Sequence, residues 1–276
     1  MRPAVRDVAR LRWRGGARGA GGEAGRRRIP EETAVAIAYQ GSTYAVMMAT
    51  PGDLEDFAVG FSLTERIVAD TAGIEALDIV EQDLGIELRM WLAAPDAAAL
   101  ADRRRHVAGP TGCGLCGIES LEEAMRSPPA VAQAMRLPPS AILAAVAALE
   151  AAQPVNHATH AVHAAGFWRP DRGLVAVRED VGRHNALDKL AGALARDGMS
   201  GAGGAVLLTS RVSIEMIQKA AAIAAPVVIA VSAPTALAVR TAEAAGITLV
   251  AVARGDGFEI FSRSDRIALE ADAHVA

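Results

Sequence analysis

Three short, uninterrupted apolar runs most constrain this chain: Val206–Thr209, Val227–Val231 and Thr248–Val252. None alternates with polar residues, so each reads as a strand buried on both faces. Their starts lie about twenty residues apart, and helical patterns fill the gaps. Leu187, Leu190, Ala191 and Leu194 form one apolar stripe, with Asn185 as the expected cap and Gly198 as the stop. The segment Ser213–Ala224 repeats the pattern, with Ile214, Ile217 and Ala221 facing inward. The alternation predicts β-α-β units and a parallel sheet covered by helices, an α/β fold.

The first half reads differently. Thr33–Tyr39 and Thr43–Thr50, joined by Gln40-Gly-Ser, form a hairpin signal. Pro51-Gly-Asp opens a helical pattern carried by Leu54, Phe57, Ala58, Phe61 and Leu63. Ala76–Val80 and Ile86–Leu92 are further strand candidates, and Asp96–His106 is a helix candidate. Prolines at 128, 129, 138 and 139 mark a crossover, and Pro139–Ala152 is an alanine-rich helix. The expected organisation is a smaller α+β subdomain over residues 29–130 and an α/β domain over 131–276.

Charge separates off the start of the chain. Residues 1–28 hold nine arginines against Asp7 and Glu23, a net charge of +7, which leaves −11 for the rest of a chain whose total is −4. Rich in glycine as well as arginine, this stretch is expected to be a disordered basic tail. No apolar stretch follows the arginines, so a secretory or twin-arginine signal is not expected. The uncharged run Ala220–Val239 has membrane length but contains Pro226, Ser232, Pro234 and Thr235. A helix end, a buried strand, a turn and a new helix explain it better. The expectation is a soluble, cytoplasmic protein with neither nucleic acid nor membrane as partner.

The chain has two cysteines, and both lie in Thr111-Gly-Cys-Gly-Leu-Cys-Gly117. A disulfide framework needs more cysteines at wider spacing. A glycine-flanked pair of this kind suits a metal clip, a redox pair or a nucleophilic sulfur. His157, His160 and His163 recur at every third position, read here as a loop entering a strand. On a strand, positions three apart face opposite ways, so no metal site is expected from them.

Polar residues follow each buried strand. Thr209-Ser-Arg-Val-Ser213, Ser232-Ala-Pro-Thr235 and Ala253-Arg-Gly-Asp-Gly257 would share the carboxyl edge of a parallel sheet, where ligands bind in open α/β folds. Arg211 and Arg254 would supply guanidinium groups, and Ser210, Ser213, Ser232 and Thr235 hydroxyls. Helix N-termini would add free N–H groups, which together suit a phosphate or pyrophosphate. Arg183, His184, Asn185 and Lys189, within Arg178-Glu-Asp-Val-Gly-Arg-His-Asn-Ala-Leu-Asp-Lys-Leu190, could address the same anion. N-caps and surface charges would also account for both sets.

Taken together, these stretches resemble the FdhD/NarQ family of formate dehydrogenase accessory proteins, which act as sulfur carriers. The matching pieces are Cys113-Gly-Leu-Cys-Gly117, Arg178 to Lys189, Arg211-Val-Ser-Ile-Glu-Met216, Ser232-Ala-Pro-Thr-Ala-Leu-Ala238 and Ala253-Arg-Gly-Asp256, within residues 30–263. The resemblance implies a cytidine-deaminase-like three-layer fold with a smaller N-terminal α+β part, and a homodimer. It implies that a cysteine desulfurase supplies sulfane sulfur as a persulfide on Cys113, with Cys116 resolving or regenerating it. The acceptor would be the molybdenum bis-(molybdopterin guanine dinucleotide) cofactor, held as substrate before it enters the formate dehydrogenase catalytic subunit. The segment Val252, Ala253, Arg254, Gly255, Asp256 and Gly257 would contact that cofactor, together with Arg211, Ser232, Thr235, Arg183, His184, Asn185 and Lys189. No resident metal is implied.

This sequence departs from the family pattern at Ala251-Val-Ala-Arg254, where Gly-Phe-Ala-Arg is common. It departs again at Gly257, where arginine is frequent, and at Ser210-Arg211, where Gly-Arg is usual. A zinc nucleobase deaminase would share the fold but needs His-x-Glu and Pro-Cys-x-x-Cys. No histidine here precedes a glutamate by two, and Gly112 precedes Cys113. A non-catalytic chaperone that shields the cofactor and docks on the dehydrogenase is the alternative reading, and a thiol-disulfide oxidoreductase is a further one.

Overall fold

The computed structural model describes residues 2–14, 21–106, 121, 125–132 and 135–269. Cys113 and Cys116 lie outside the described residues. Strands β3 (Thr33–Tyr39), β4 (Ser42–Ala49), β5 (Ile74–Gln82) and β6 (Gly85–Leu92) form a four-stranded sheet in the order β4-β3-β6-β5. Its central pair, β3 and β6, is parallel, and an antiparallel strand flanks each. Gln40 and Gly41 turn the first hairpin with φ of 50° and 75°, the left-handed conformation that tight hairpin turns require. Helix α1 (Leu54–Thr64) packs Phe57 and Phe61 against Val35, Ile37, Leu88 and Met90, and α2 (Ala94–His106) follows β6.

The second sheet has six strands. They are β7 (His163–Arg169), β8 (Gly173–Asp180), β9 (Ala205–Leu208), β10 (Val227–Ala230), β11 (Thr248–Arg254) and β12 (Gly257–Ser262), in the order β12-β11-β10-β9-β7-β8. The three predicted strands are its parallel core, β9-β10-β11. β7 runs antiparallel to both β8 and β9, so β8 points the same way as the core. Helices α5 (Arg183–Arg196), α6 (Ile214–Ala222) and α7 (Ala236–Ala245) cover one face, burying Leu187, Leu190, Met216, Ile217 and Ala242 on Val206, Leu208, Val228 and Leu249. Helix α3 (Pro139–Ala151) covers the other, with Ile142 and Leu149 on Leu207, Ile229 and Val250. Successive strand residues enter different cores, which is why the runs carry no polar alternation. The result is the expected α/β class, a helix–sheet–helix domain joined to a smaller α+β part.

Helix α1 joins the two parts by lying on α5. A Cβ at Gly60 would stand 1.7 Å from the Asp188 carbonyl oxygen, and one at Gly192 1.9 Å from that of Asp56. Only glycine at both positions lets the helix backbones approach this closely. The uncharged run at 220–239 resolves as expected into the end of α6, β10 and the start of α7. Among the described residues no helix is long and apolar enough to cross a membrane.

Three expectations need correction. The described part of residues 1–28 is not an unstructured tail: β1 (Val5–Arg14) and β2 (Gly21–Pro30) pair as an antiparallel ribbon. Arginine at 6, 10, 12 and 14 alternates with Val5, Ala9, Leu11 and Trp13, a period of two that composition conceals. Tethers hold its base. Arg27 donates to the Thr159 carbonyl, the Arg2 guanidinium to that of Gln82, and Arg6 pairs with Glu31. Second, α5 starts at Arg183 with Gly182 at its cap, so Asn185 lies inside the first turn. Third, His157 lies in a short helix, α4 (Pro154–Thr159), which Pro154 opens; His160 ends it in the left-handed conformation and His163 begins β7.

Candidate functional site

β8, β9, β10 and β11 run in one direction, so their carboxyl ends share one edge of the sheet. That edge carries the predicted segments: Arg183 and His184 at the start of α5, Ser210 to Ser213 before α6, Ser232 to Thr235 before α7, and Arg254 at the end of β11. The two middle segments are laced together. Val212 N–H donates to the Ala233 carbonyl at 3.2 Å, and Thr235 N–H to that of Val212 at 2.9 Å. Thr235 is a true cap, its hydroxyl accepting from Ala238 N–H, whereas Ser213 occupies the cap position of α6 without a side-chain cap bond.

β11 ends in a distortion. Its register with β12 shifts between Ala251 and Arg254, and Val252 has φ of 53°. A β-branched residue in the left-handed region is strained, and such strain is held only where the surroundings enforce it. Here the Val252 N–H donates to the Ser232 carbonyl at 3.3 Å, while Arg254 Nη1 donates to the Val231 carbonyl at 2.6 Å. The bulge therefore turns Arg254 across the end of β10. Arg211 and Arg254 are both exposed, as are Gly255 and Asp256, while Gly257 opens β12 and Ala253 is buried beneath.

Asn185 and Lys189 do not join this rim. Lys189 is fully buried, its ammonium 2.7 Å from Asp180 Oδ2 and donating to the Thr50 carbonyl at 2.8 Å. Asn185 Nδ2 donates to the Met48 carbonyl at 2.8 Å and to Asp180 Oδ1 at 3.0 Å. Asp180 also accepts from the Thr50 and Gly182 N–H groups. The network fastens the end of β4 to α5, and its charges are spent on each other.

A second network sits at the end of α1. Lys219 of α6 reaches Asp188 Oδ1 at 2.8 Å, Glu65 Oε1 at 2.7 Å and Thr64 Oγ1 at 3.0 Å. The Thr64 hydroxyl donates to Asp188 Oδ1 at 2.6 Å. Burial works against the charge of Lys219, but Asp188 and Glu65 outweigh it and raise its pKa. Burial likewise opposes ionisation of Glu65, yet Lys219, Arg126 and Arg103 hold its carboxyl below the usual range. Two guanidinium groups converge on the terminal carbonyls of α1, where the helix dipole favours cations. Arg103 Nη1 donates to the Glu65 carbonyl at 3.1 Å, and Arg126 donates to those of Glu65 and Thr64 at 3.4 and 3.3 Å. Gln218 Nε2 in turn donates to the Arg126 carbonyl at 2.9 Å. Arg103 and Arg126 flank the cysteine motif in sequence, so both approaches to it are tied to one helix end.

The FdhD/NarQ family model matches residues 30–268. The chain belongs to this family. Among FdhD/NarQ relatives, the Sulfur carrier protein FdhD of Agrobacterium fabrum is 55% identical over 246 residues, covering 89% of this chain and 91% of the relative. That of Cupriavidus necator is 48% identical, covering 88% and 84%. The solved structure of a formate dehydrogenase accessory protein from Desulfotalea psychrophila superposes with a TM-score of 0.73 at 26% identity, covering 96% of this chain and all of that one.

The FdhD/NarQ motif Arg178–Lys189 is thus divided by the fold. Arg178 binds Asp56 from α1 at 2.7 Å, Asn185 and Lys189 are buried, and Arg183 and His184, at the start of α5, are half-buried. His184 is held neutral, its pKa pushed down to about 4 by burial and then by the Arg183 and Lys219 charges. Glu215 lies beside it. Burial opposes its ionisation, but hydrogen bonds from the Ser213 hydroxyl and from backbone N–H at the start of α6, together with the Arg183 charge, keep its pKa low. Sequence reasoning did not single out Glu215, Glu65 or Lys219. The available signal was a glutamate in the first turn of a helix that begins at a sheet edge.

Proposed function

We propose that this protein is a sulfur carrier for formate dehydrogenase maturation. In this reading a cysteine desulfurase presents a persulfide, and the Cys113 thiolate attacks its terminal sulfur. The sulfur moves as a neutral atom, Cys113 becomes a persulfide and the desulfurase thiolate leaves. Attack by the Cys116 thiolate on the Cys113 sulfur then releases the terminal atom as hydrosulfide. An intramolecular disulfide remains, which a cellular thiol must reduce. The hydrosulfide is delivered to the molybdenum bis-(molybdopterin guanine dinucleotide) cofactor, bound as substrate before it enters the dehydrogenase.

The observation that carries this reading is membership of the FdhD/NarQ family, with relatives named as sulfur carriers at 55% identity. The chain's only two thiols, placed within one motif, and a rim of guanidinium groups and hydroxyls are compatible with it. The test is Cys113→Ala in a strain lacking this protein. Formate dehydrogenase activity is expected to fall to that of the strain without the protein, and full activity would reject Cys113 as the carrier.

A further inference from the structure

The ribbon of β1 and β2 plays no part in the site described above. Its paired positions, from Val5 with Pro30 to Arg14 with Gly21, make a two-stranded sheet about 30 Å long, at roughly 3.4 Å per residue. The tethers at Arg2, Arg6 and Arg27 hold its base. Farther along β1, Leu11 and Trp13 are 74% and 69% exposed. A pair of strands with no third strand is marginal in water. Among the described residues each strand of this pair also keeps one unpaired edge.

Residues paired across the ladder share a face, so the register sorts the side chains. Arg6, Arg10 and Arg12 of β1 lie on one face with Arg27 and Glu23 of β2. Gly25, opposite Arg10, has no side chain, and the Arg10 guanidinium lies over it. The other face carries Leu11, Trp13 and Ala24 toward the tip, with Leu11 laid over Gly22.

Four arginines against one carboxylate select an anionic occupant. The edge beside them selects its class. An unpaired strand edge alternates N–H donors with C=O acceptors, which another strand completes and a phosphodiester chain, with acceptors alone, does not. Leu11 and Trp13 call for an apolar counterpart on the face opposite the charge, which a strand of alternating character supplies. The total of −4 less the +7 of residues 1–28 leaves −11 on the rest of the chain, which repels an extended polyanion or an anionic bilayer. The like charge of its arginines turns away a second ribbon.

We propose that the ribbon is a docking surface for an acidic, extended segment of a partner protein, which adds as a third strand along the free edge of β1. Carboxylates at alternate positions of that segment meet Arg10 and Arg12, and the apolar side chains between them meet Leu11 and Trp13. The base of the ribbon sets where the partner is held. Arg27 bonds the Thr159 carbonyl, and His163, four residues on, pairs with Asp180 at the carboxyl end of β8. The docked protein is therefore held beside the rim. Docking requires no sulfur transfer, so its test stands apart from that of Cys113.

The test is fluorescence anisotropy of the full chain with a labelled peptide of alternating Glu and Val. It is compared with a peptide of the same composition in separate Glu and Val blocks, with a short DNA duplex and with phosphatidylglycerol vesicles. The alternating peptide is expected to bind at least about tenfold more tightly than the blocked one, because only alternation gathers the carboxylates on one face. Its binding is expected to weaken as salt rises. Arg10→Glu combined with Arg12→Glu is expected to weaken it at least about tenfold, since attraction becomes repulsion. Equal binding of the two peptides, or binding of neither, overturns the proposal on the wild-type chain alone, even if the variant fails to fold. Unchanged affinity in a folded variant overturns it as well. Tighter binding of the DNA or the vesicles than of the alternating peptide, lost in the variant, assigns the ribbon to a phosphate-bearing surface and overturns it too.

Discussion

Two sets of polar residues share the first turns of α5 and have opposite fates. Asn185 and Lys189, four apart, face β4 and are satisfied by Asp180, Thr50 and Met48. Arg183 and His184, one or two residues earlier, start the helix at the sheet edge and hold buried atoms without a hydrogen bond among the described residues. A run that looks uniformly suited to an anion is divided by helical phase, since each residue rotates the side chain by about 100°. The satisfied half holds the fold together.

Breaking the satisfied half should have the largest effect on stability. Lys189→Met leaves Asp180 charged and buried without its cation. Loss of one partner from a buried pair costs about 3–5 kcal/mol. Denaturant unfolding should show a loss of that order, and a loss below about 1 kcal/mol would mean the pair is not what fastens β4 to α5.

The unsatisfied half should report through pH. The His184 pKa falls from 6.5 to about 4 on folding, so between these values the unfolded chain binds more protons. Stability therefore rises as pH increases through that window and is fully present above 6.5. His163, also lowered by burial and by Arg183, contributes the same sign. His184→Asn should reduce the slope of stability against pH between 5 and 6.5 without abolishing it. An unchanged slope would place His184 in water.

The smallest expected effect on stability lies at the phosphate end. Arg254→Ala removes an exposed guanidinium bonded to one carbonyl and should change stability by no more than about 0.5 kcal/mol. GDP affinity should nonetheless fall at least about tenfold, because a charge-assisted contact to phosphate is lost. Unchanged GDP affinity would remove Arg254 from the site.

These differences show what the sequence could carry. The runs at 206, 227 and 248 were legible because burial on both faces removes polar alternation. The rim was legible because a parallel core puts successive strand ends on one edge. The phase of α5 was not, because it depends on where α1 lies, and that follows from the backbone approach of Gly60 to Gly192. Neither glycine announces its partner 132 residues away. The N-terminal ribbon was concealed differently. Its alternation was present, but nine arginines in 28 residues satisfied a compositional signature of disorder more readily than a strand pattern.

The central claim is that Cys113 carries sulfur. Intact-mass spectrometry of the purified chain after incubation with a cysteine desulfurase and cysteine tests it most directly. One added sulfur atom, about 32 Da, is expected on the wild-type protein as a persulfide of a reactive thiolate. The adduct should disappear with a thiol reductant and be missing from Cys113→Ala. A wild-type chain that gains no mass, or a Cys113→Ala chain that gains the same adduct, would contradict the account.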